Sequence, residues 1–186
     1  MVPPAGGAIQ IQTKKDGKHM DSIWKRRSIR KFEDRPVERE KLERILRAGM
    51  QSPTAKDSRC WEFLVVTGPE ARQAVSEMSE YAMCAAKAAA LIIPLANLQR
   101  VDPAEDWWVQ DLAAATQTML LQIEEEGLGA TWLGMYPRKA RTYALRAYFQ
   151  LPEHIMPFAV IALGYKAREK EPEDRWDPEK VHWERY

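Results

Sequence analysis

The stretch EDWWVQDLAAATQTMLLQIEEEG, Glu105 to Gly127, is the longest helical pattern in the chain. Trp108, Leu112, Ala115, Met119, Leu120 and Ile123 fall along one side. Ala113, Ala114 and Thr116 keep much of the remainder small. A helix apolar nearly all round has to be buried, in a core or in a subunit interface. Everything else must be arranged to cover it. Gly127 is placed to cap its C-terminus. Glu124, Glu125 and Glu126 are expected to form a solvated helix end, badly matched to the negative pole there.

The covering elements follow from period and punctuation. Asp21 or Ser22 caps a short helix reaching Lys25 or Arg26. RPVEREKLERILRAGM carries Leu42, Ile45, Leu46, Gly49 and Met50 on one face and reads as an amphipathic helix. SPTAKDSRC is a loop, and WEFLVVTGP a strand and turn. Pro69 suits the first turn of a helix whose stripe is Ala71, Val75, Met78 and Ala82. ALIIPLANL is a strand with an irregularity expected at Pro94. LGATWLGMYP is a short strand, RKARTYALRAYFQL an amphipathic helix, and MPFAVIALGY a continuous buried strand. Irregular alternation of helices and strands means an α+β layer fold.

The chain has 186 residues, the size of one domain. Lys and Arg number 28 against 27 Asp and Glu, which disfavours a surface meant for nucleic acid. No apolar run approaches a membrane span. Residues 1–19 (MVPPAGGAIQIQTKKDGKH) lack helical period and the apolar core of a signal peptide. They read as a flexible extension, with the compact domain over 20–186 and Met20 as its natural start. Cys60 and Cys84 form no disulfide framework, consistent with a reduced, cytoplasmic setting. His19, His154 and His182 are isolated, so no metal site is expected. Phosphate-loop and nucleophile-elbow motifs are absent. Cys60 has no evident His partner and reads as a small side chain beside Trp61.

KRRSIRKF, Lys25 to Phe32, packs five cations into eight residues. In an extended chain Arg26, Ser28 and Arg30 share a side. Two guanidiniums and a hydroxyl there would make an anion site. Ile29 and Phe32 would anchor the segment in the core. Two other readings stay open on pattern alone: cations complementing the end of the first helix, or a nucleic-acid patch.

SIWKRRSIRKFEDRPV, then SPTAKDSRCWEFLVV, VQDLAAATQTMLLQIEEEGLGATWLG and DRWDPEKVHWERY, in that order, resemble the nitroreductase family of FMN enzymes. The resemblance runs from about Met20 to Tyr186. It implies an α+β fold with a mixed, mainly antiparallel sheet flanked by helices. It implies an intertwined homodimer holding FMN at its interface. The long helices would pack on one another, and the tail, about 167–186, on the partner subunit. Arg26, Arg27 and Ser28 would serve the flavin phosphate and ribityl end, with Arg175 as a further phosphate cation. Arg30 would lie at the N1/O2 edge, where reduction leaves negative charge. Trp132, Leu133, Gly134 and Met135 would lie near the reactive N5. Ser52, Pro53, Thr54, Ala55 and Asp57 would approach from the partner's side.

The loop departs from the family form, close to PSxxNxQPW. Asp57 replaces Asn, Arg59 Gln, and Cys60 Pro. An ionised Asp accepts but does not donate. Asp57 could accept from the flavin N3–H. Arg59 is expected either to pair with it or to serve a ring carbonyl. The implied activity is hydride transfer from NADH or NADPH through FMN to a nitroaromatic, quinone or similar acceptor, in ping-pong fashion. The flavin supplies the chemistry, so no side chain is assigned as catalytic. Flavin binding without turnover, reductive dehalogenation and flavin fragmentation are the alternatives. No nucleic-acid or membrane partner is expected.

Overall fold

The computed structural model describes residues 21–186, so the expected extension over 1–19 and Met20 as a start lie outside it. In chain order the elements are α1 (Asp21–Lys25), α2 (Arg39–Gly49), β1 (Trp61–Val66), α3 (Pro69–Glu77), β2 (Ala90–Asn97), α4 (Trp107–Glu125), β3 (Gly129–Gly134), α5 (Lys139–Tyr148), β4 (Ile155–Pro157) and β5 (Ala159–Gly164).

β2 is apolar at nearly every position, so both of its faces must be covered. Its side chains alternate accordingly: Leu91, Ile93 and Leu95 enter one core, Ala90 and Ile92 another. β1 pairs with β2 along its whole length, from Trp61 opposite Ala96 to Val66 opposite Leu91. The sheet order is β1-β2-β5-β3, with β4 also beside β2. These pairings are all antiparallel. One parallel bridge, Ser28 to Ala130, makes the sheet mixed. On one face α2 and α4 bring Leu42, Ile45, Met119, Leu120 and Ile123. On the other, Val75 of α3 and Leu145 of α5 cover the sheet. This is the expected α+β layer arrangement. No helix among the described residues is long and apolar enough to cross a membrane.

Four local expectations are corrected. Pro94 disturbs nothing in β2, where it stands opposite Phe63 in unbroken register. Its carbonyl accepts from the Phe158 amide at 2.9 Å. Its missing N–H therefore falls on the side facing Phe158, where no ladder is formed. The break is in the neighbour: MPFAVIALGY is split at Phe158 into β4 and β5. The helix begun by Pro69 ends at Glu77, so Ala82 is buried from a following turn rather than from the helical stripe.

The acidic end of α4 is not simply solvated. Glu124 pairs with Lys166 at 2.7 Å, both side chains being only 10% exposed. Glu126 accepts from Arg44 Nε at 2.8 Å and Nη2 at 2.7 Å. Lys41 Nζ donates to the Glu126 carbonyl at 2.8 Å. Cations from α2 and from the segment after β5 thus neutralise the helix's negative pole. Burial pushes the Lys166 pKa down, but its bonds to Glu124 and Glu169 outweigh that and leave it raised.

Two outcomes follow. The Arg44 hydrogen bonds hold the Glu126 carboxylate below its ordinary value of 4.5. Its stabilisation is complete above that value and is lost as pH falls through the lowered one. Denaturant unfolding of Glu126→Gln across the acid range should therefore show a flatter pH dependence than wild type. At Gly129 a Cβ would stand 2.8 Å from Ile29 Cβ and 2.7 Å from Lys166 Cγ. Gly129→Ala should lower unfolding free energy by about 2 kcal/mol, because Ile29 has to move. Gly134→Ala, with open space around it, should not.

Candidate functional site

α1 ends where the Arg26 amide donates to the Ser22 carbonyl at 2.9 Å. Beyond it the chain lies along the outer edge of β3. The amide of Ile29 donates to the Ala130 carbonyl at 2.8 Å, and Ile29 is 3% exposed. On the segment's other side Phe32 bridges to Lys166, and the Ala167 amide donates to the Lys31 carbonyl at 3.2 Å. Phe32 packs against the core. The basic stretch is therefore extended and anchored through Ile29 and Phe32, as its pattern implies.

A cavity of about 300 Å³ opens beside it, lined by Ile23, Trp24, Arg26, Arg27, Glu173, Asp174, Arg175 and Trp176. It brings Arg26, Arg27 and Arg175 together. Ser28 and Arg30 are not in its lining. Ser28 is half-buried, and its carbonyl accepts from Lys170 Nζ at 2.9 Å. Arg30 is exposed; burial raises the Cys84 pKa, and the nearby charge of Arg30 opposes that only in part. The period-2 set thus divides, with Arg26 in the cavity and Arg30 outside it.

Glu173 is a member of this site that the sequence did not reveal. Its carboxylate accepts from Arg175 Nη2 at 3.1 Å and forms an ion pair with Arg27 Nη2 at 3.0 Å, while Arg27 Nη1 donates to the Glu171 carbonyl at 2.6 Å. Arg175, then Arg27, hold it below the ordinary glutamate range. Within EPEDRWD nothing distinguishes it from its acidic neighbours. The tail thus begins against its own chain. Its later aromatics, Trp176, Trp183 and Tyr186, are 66%, 81% and fully exposed.

The second group is β3. Trp132 is half-buried, edge-on to Phe158 at 5.6 Å between ring centroids. Leu133 is buried. Gly134 is exposed, with no atom within 4 Å of where a Cβ would be, and its carbonyl accepts from Arg141 Nη1 at 3.0 Å. The Met135 side chain is wholly in the core.

The third group is the loop after α2. Ser52 is buried and donates to Thr118 Oγ1 at 2.9 Å. Pro53 is exposed. Thr54 Oγ1 accepts from the Arg59 amide at 3.1 Å. The Ala55 amide donates to Asp111 Oδ1 at 2.9 Å. Lys56, Asp57 and Arg59 have φ of 55°, 50° and 46°. Left-handed backbone at non-glycine residues costs about 1–3 kcal/mol each and gathers at functional sites. Asp57 and Arg59 form a two-pronged pair, Nε to Oδ1 and Nη2 to Oδ2 both at 2.9 Å. Of the two expectations for Arg59, pairing with Asp57 is the one realised. The Arg59 hydrogen bonds hold the Asp57 pKa down. Cys60 is fully buried, and burial pushes its thiol up to about 11.

Within the chain the arginine cavity and the loop lie apart. The charge of Lys25 in α1 feels Glu124 and Glu125, at the C-terminal end of α4. The loop is tied to Asp111, nearer its start. At 1.5 Å per residue those points are about 20 Å apart. The three-arginine cavity contains no residue of the loop.

The sequence model of the nitroreductase family matches residues 23–165. That decides the family. This chain belongs to the nitroreductase family. The nitroreductase resemblance expected from its four blocks is thus established, and with it an oxidoreductase. Among relatives of this nitroreductase-family chain is a Methanothermobacter thermautotrophicus protein named "Putative NADH dehydrogenase/NAD(P)H nitroreductase". It is 38% identical over 167 residues, covering 90% of this chain and 87% of that one. A crystal structure named "Putative NADH Oxidase", from Clostridium acetobutylicum, superposes with TM-score 0.86 at 39% identity, over 89% of this chain and all of the other. An FMN-dependent nitroreductase from Clostridium difficile R20291 superposes with TM-score 0.83 at 29% identity, over 90% of this chain and all of the other.

The raised Cys60 pKa and its burial lead to a simple expectation. At pH 8 native protein should leave Cys60 unmodified by iodoacetamide, with labelling on addition of denaturant; mass spectrometry of the peptides reads the result.

Proposed function

We propose that this chain is an FMN-dependent NAD(P)H oxidoreductase acting on nitroaromatic, quinone or similar acceptors by a ping-pong route. The observation that carries this reading is the cavity of Arg26, Arg27 and Arg175. Three arginines lining one space fit a flavin phosphate. The bare Gly134 backbone fits a flat ring, which a side chain there would obstruct. When bound, FMN would supply the hydride acceptor and the electron donor.

The protein's part is to hold and tune. Arg26, Arg27 and Arg175 bind the phosphate, with Glu173 giving way. Ser28 reaches the ribityl end. Arg30, exposed in the same segment, would serve the ring edge where negative charge develops. A cation about 4 Å away at an effective dielectric of about 20 attracts that charge by roughly 4 kcal/mol before desolvation. Trp132, Leu133 and Gly134 present backbone to the ring.

Ser52, Pro53, Thr54, Ala55 and Asp57 reach the ring from a second subunit. Two observations support this homodimer: the loop and the cavity are carried near opposite ends of α4, and α4 keeps Val109, Ala113, Ala114 and Leu121 only half-buried. The exposed aromatics of 176–186 would pack on the same partner. The setting is cytoplasmic.

Purified protein should be yellow or take up added FMN, and anaerobic NADH or NADPH should bleach it. Colourless protein that refuses FMN ends this reading. Steady-state lines for donor and acceptor should be parallel. Flavin that binds but is reduced by neither nicotinamide would favour binding without turnover, which the Asp57–Arg59 pair makes the specific rival. Arg26→Ala should weaken FMN binding about tenfold or more, as loss of a charged hydrogen bond does. Arg30→Ala should lower the midpoint potential of bound FMN by about 30 mV or more, read by dye equilibration.

A further inference from the structure

Asp111 is a carboxylate in the middle of an apolar helix face, 7% exposed. Among the described residues no Lys, Arg or His pairs with it. Its partners all come from one short segment. Oδ1 accepts from the Ala55 amide at 2.9 Å, and Oδ2 from Ser58 Oγ at 3.4 Å and Cys60 Sγ at 3.7 Å. A buried carboxylate without a cation is costly, and donors must surround it for it to persist. Here those donors belong to the strained loop itself.

That loop needs holding. Lys56, Asp57 and Arg59 are left-handed, a conformation local chemistry does not favour for these residues. The Thr54 hydroxyl supplies one tie, to the Arg59 amide. Lys56 supplies another, to Glu105 at 2.9 Å and Asp102 at 3.6 Å. Both lie at exposed or half-exposed residues, where water competes. Asp111 supplies the buried tie, and it reaches the loop on both sides of the left-handed pair Lys56–Asp57. The spacing of its contacts, from residue 55 to residue 60, spans the turn.

We propose that Asp111 is a positioning residue, which fixes the 55–59 turn and thereby places Asp57 and Arg59 at the flavin edge of the partner subunit. The placement at the flavin rests on the function proposed above; the fixing of the turn does not. Asp111 acts through the loop and touches no reacting atom.

The full chain tests this with two variants. Asp111→Leu keeps the branched outline in a bulkier side chain and removes both acceptors. Asp111→Asn keeps a carbonyl for the Ala55 amide, and its NH2 can donate to the Ser58 hydroxyl. Trypsin is applied to FMN-free protein, because Lys56 and Arg59 are themselves cleavage sites. In Asp111→Leu, cleavage after Lys56 and Arg59 should rise about tenfold or more, the value of a lost hydrogen bond to a charged group, with other sites unchanged. Its FMN dissociation constant, by fluorescence quenching, should rise by about the same factor. Asp111→Asn should restore both to within about threefold of wild type.

Loop cleavage in Asp111→Leu within about twofold of wild type overturns the proposal. So does a rise at all tryptic sites together, which marks a merely structural residue. Hydrogen exchange on wild type decides it if Asp111→Leu does not fold. The Ala55 amide should be protected about a hundredfold or more, and unprotected exchange there overturns the proposal. Wild type that takes up no FMN refutes the flavin reading, while cleavage and exchange still decide whether Asp111 fixes the turn.

Discussion

The packing of α4 across the sheet is the contact on which the rest depends. Leu112, Met119, Leu120 and Ile123 are 0–5% exposed against strands β2, β3 and β5 and helix α2. A helix this apolar cannot face water along its length. Once it is seated, its two ends carry the working parts. The C-terminal end lies beside α1 and the segment leading to the arginine cavity. The N-terminal half holds the loop through Asp111 and Thr118. One rigid element thus sets the distance between the arginine cavity and the loop.

Seating α4 creates an electrostatic problem at Glu124–Glu126, where negative side chains meet the negative helix pole. The fold answers it with tertiary contacts. Arg44 and Lys41 come from α2, and Lys166 from the chain leaving β5. Lys166 also opens the segment that runs beside Lys31 and Phe32. Neutralising the helix end and registering the basic stretch therefore share Lys166.

The sequence shows clearly what local physics decides. Pro69 opens a helix, Gly127 closes one, and Ile29 and Phe32 anchor an extended basic segment, all as their patterns require. It conceals what depends on a partner distant in the chain. Glu126 meets Arg44 across 82 positions, so its pairing leaves no local trace. Pro94 marks a break that belongs to another strand. Arg26, Arg27 and Arg175 are grouped by family resemblance, since no spacing rule joins residue 27 to residue 175. Asp111 does leave a signal, a lone acid in WWVQDLAAA, but its meaning requires knowing which amides lie opposite.

Glu173 between Arg27 and Arg175 gives the cavity an internal counter-ion. An incoming anion therefore enters by exchange rather than by falling into an open positive well. The net charge of the pocket changes less than three bare guanidiniums would suggest, and ionic strength has correspondingly less leverage on entry. Discrimination among anions then rests on who fits the fork geometry better than a carboxylate does. A tetrahedral group with more oxygens to share has that advantage over the side chain already in place.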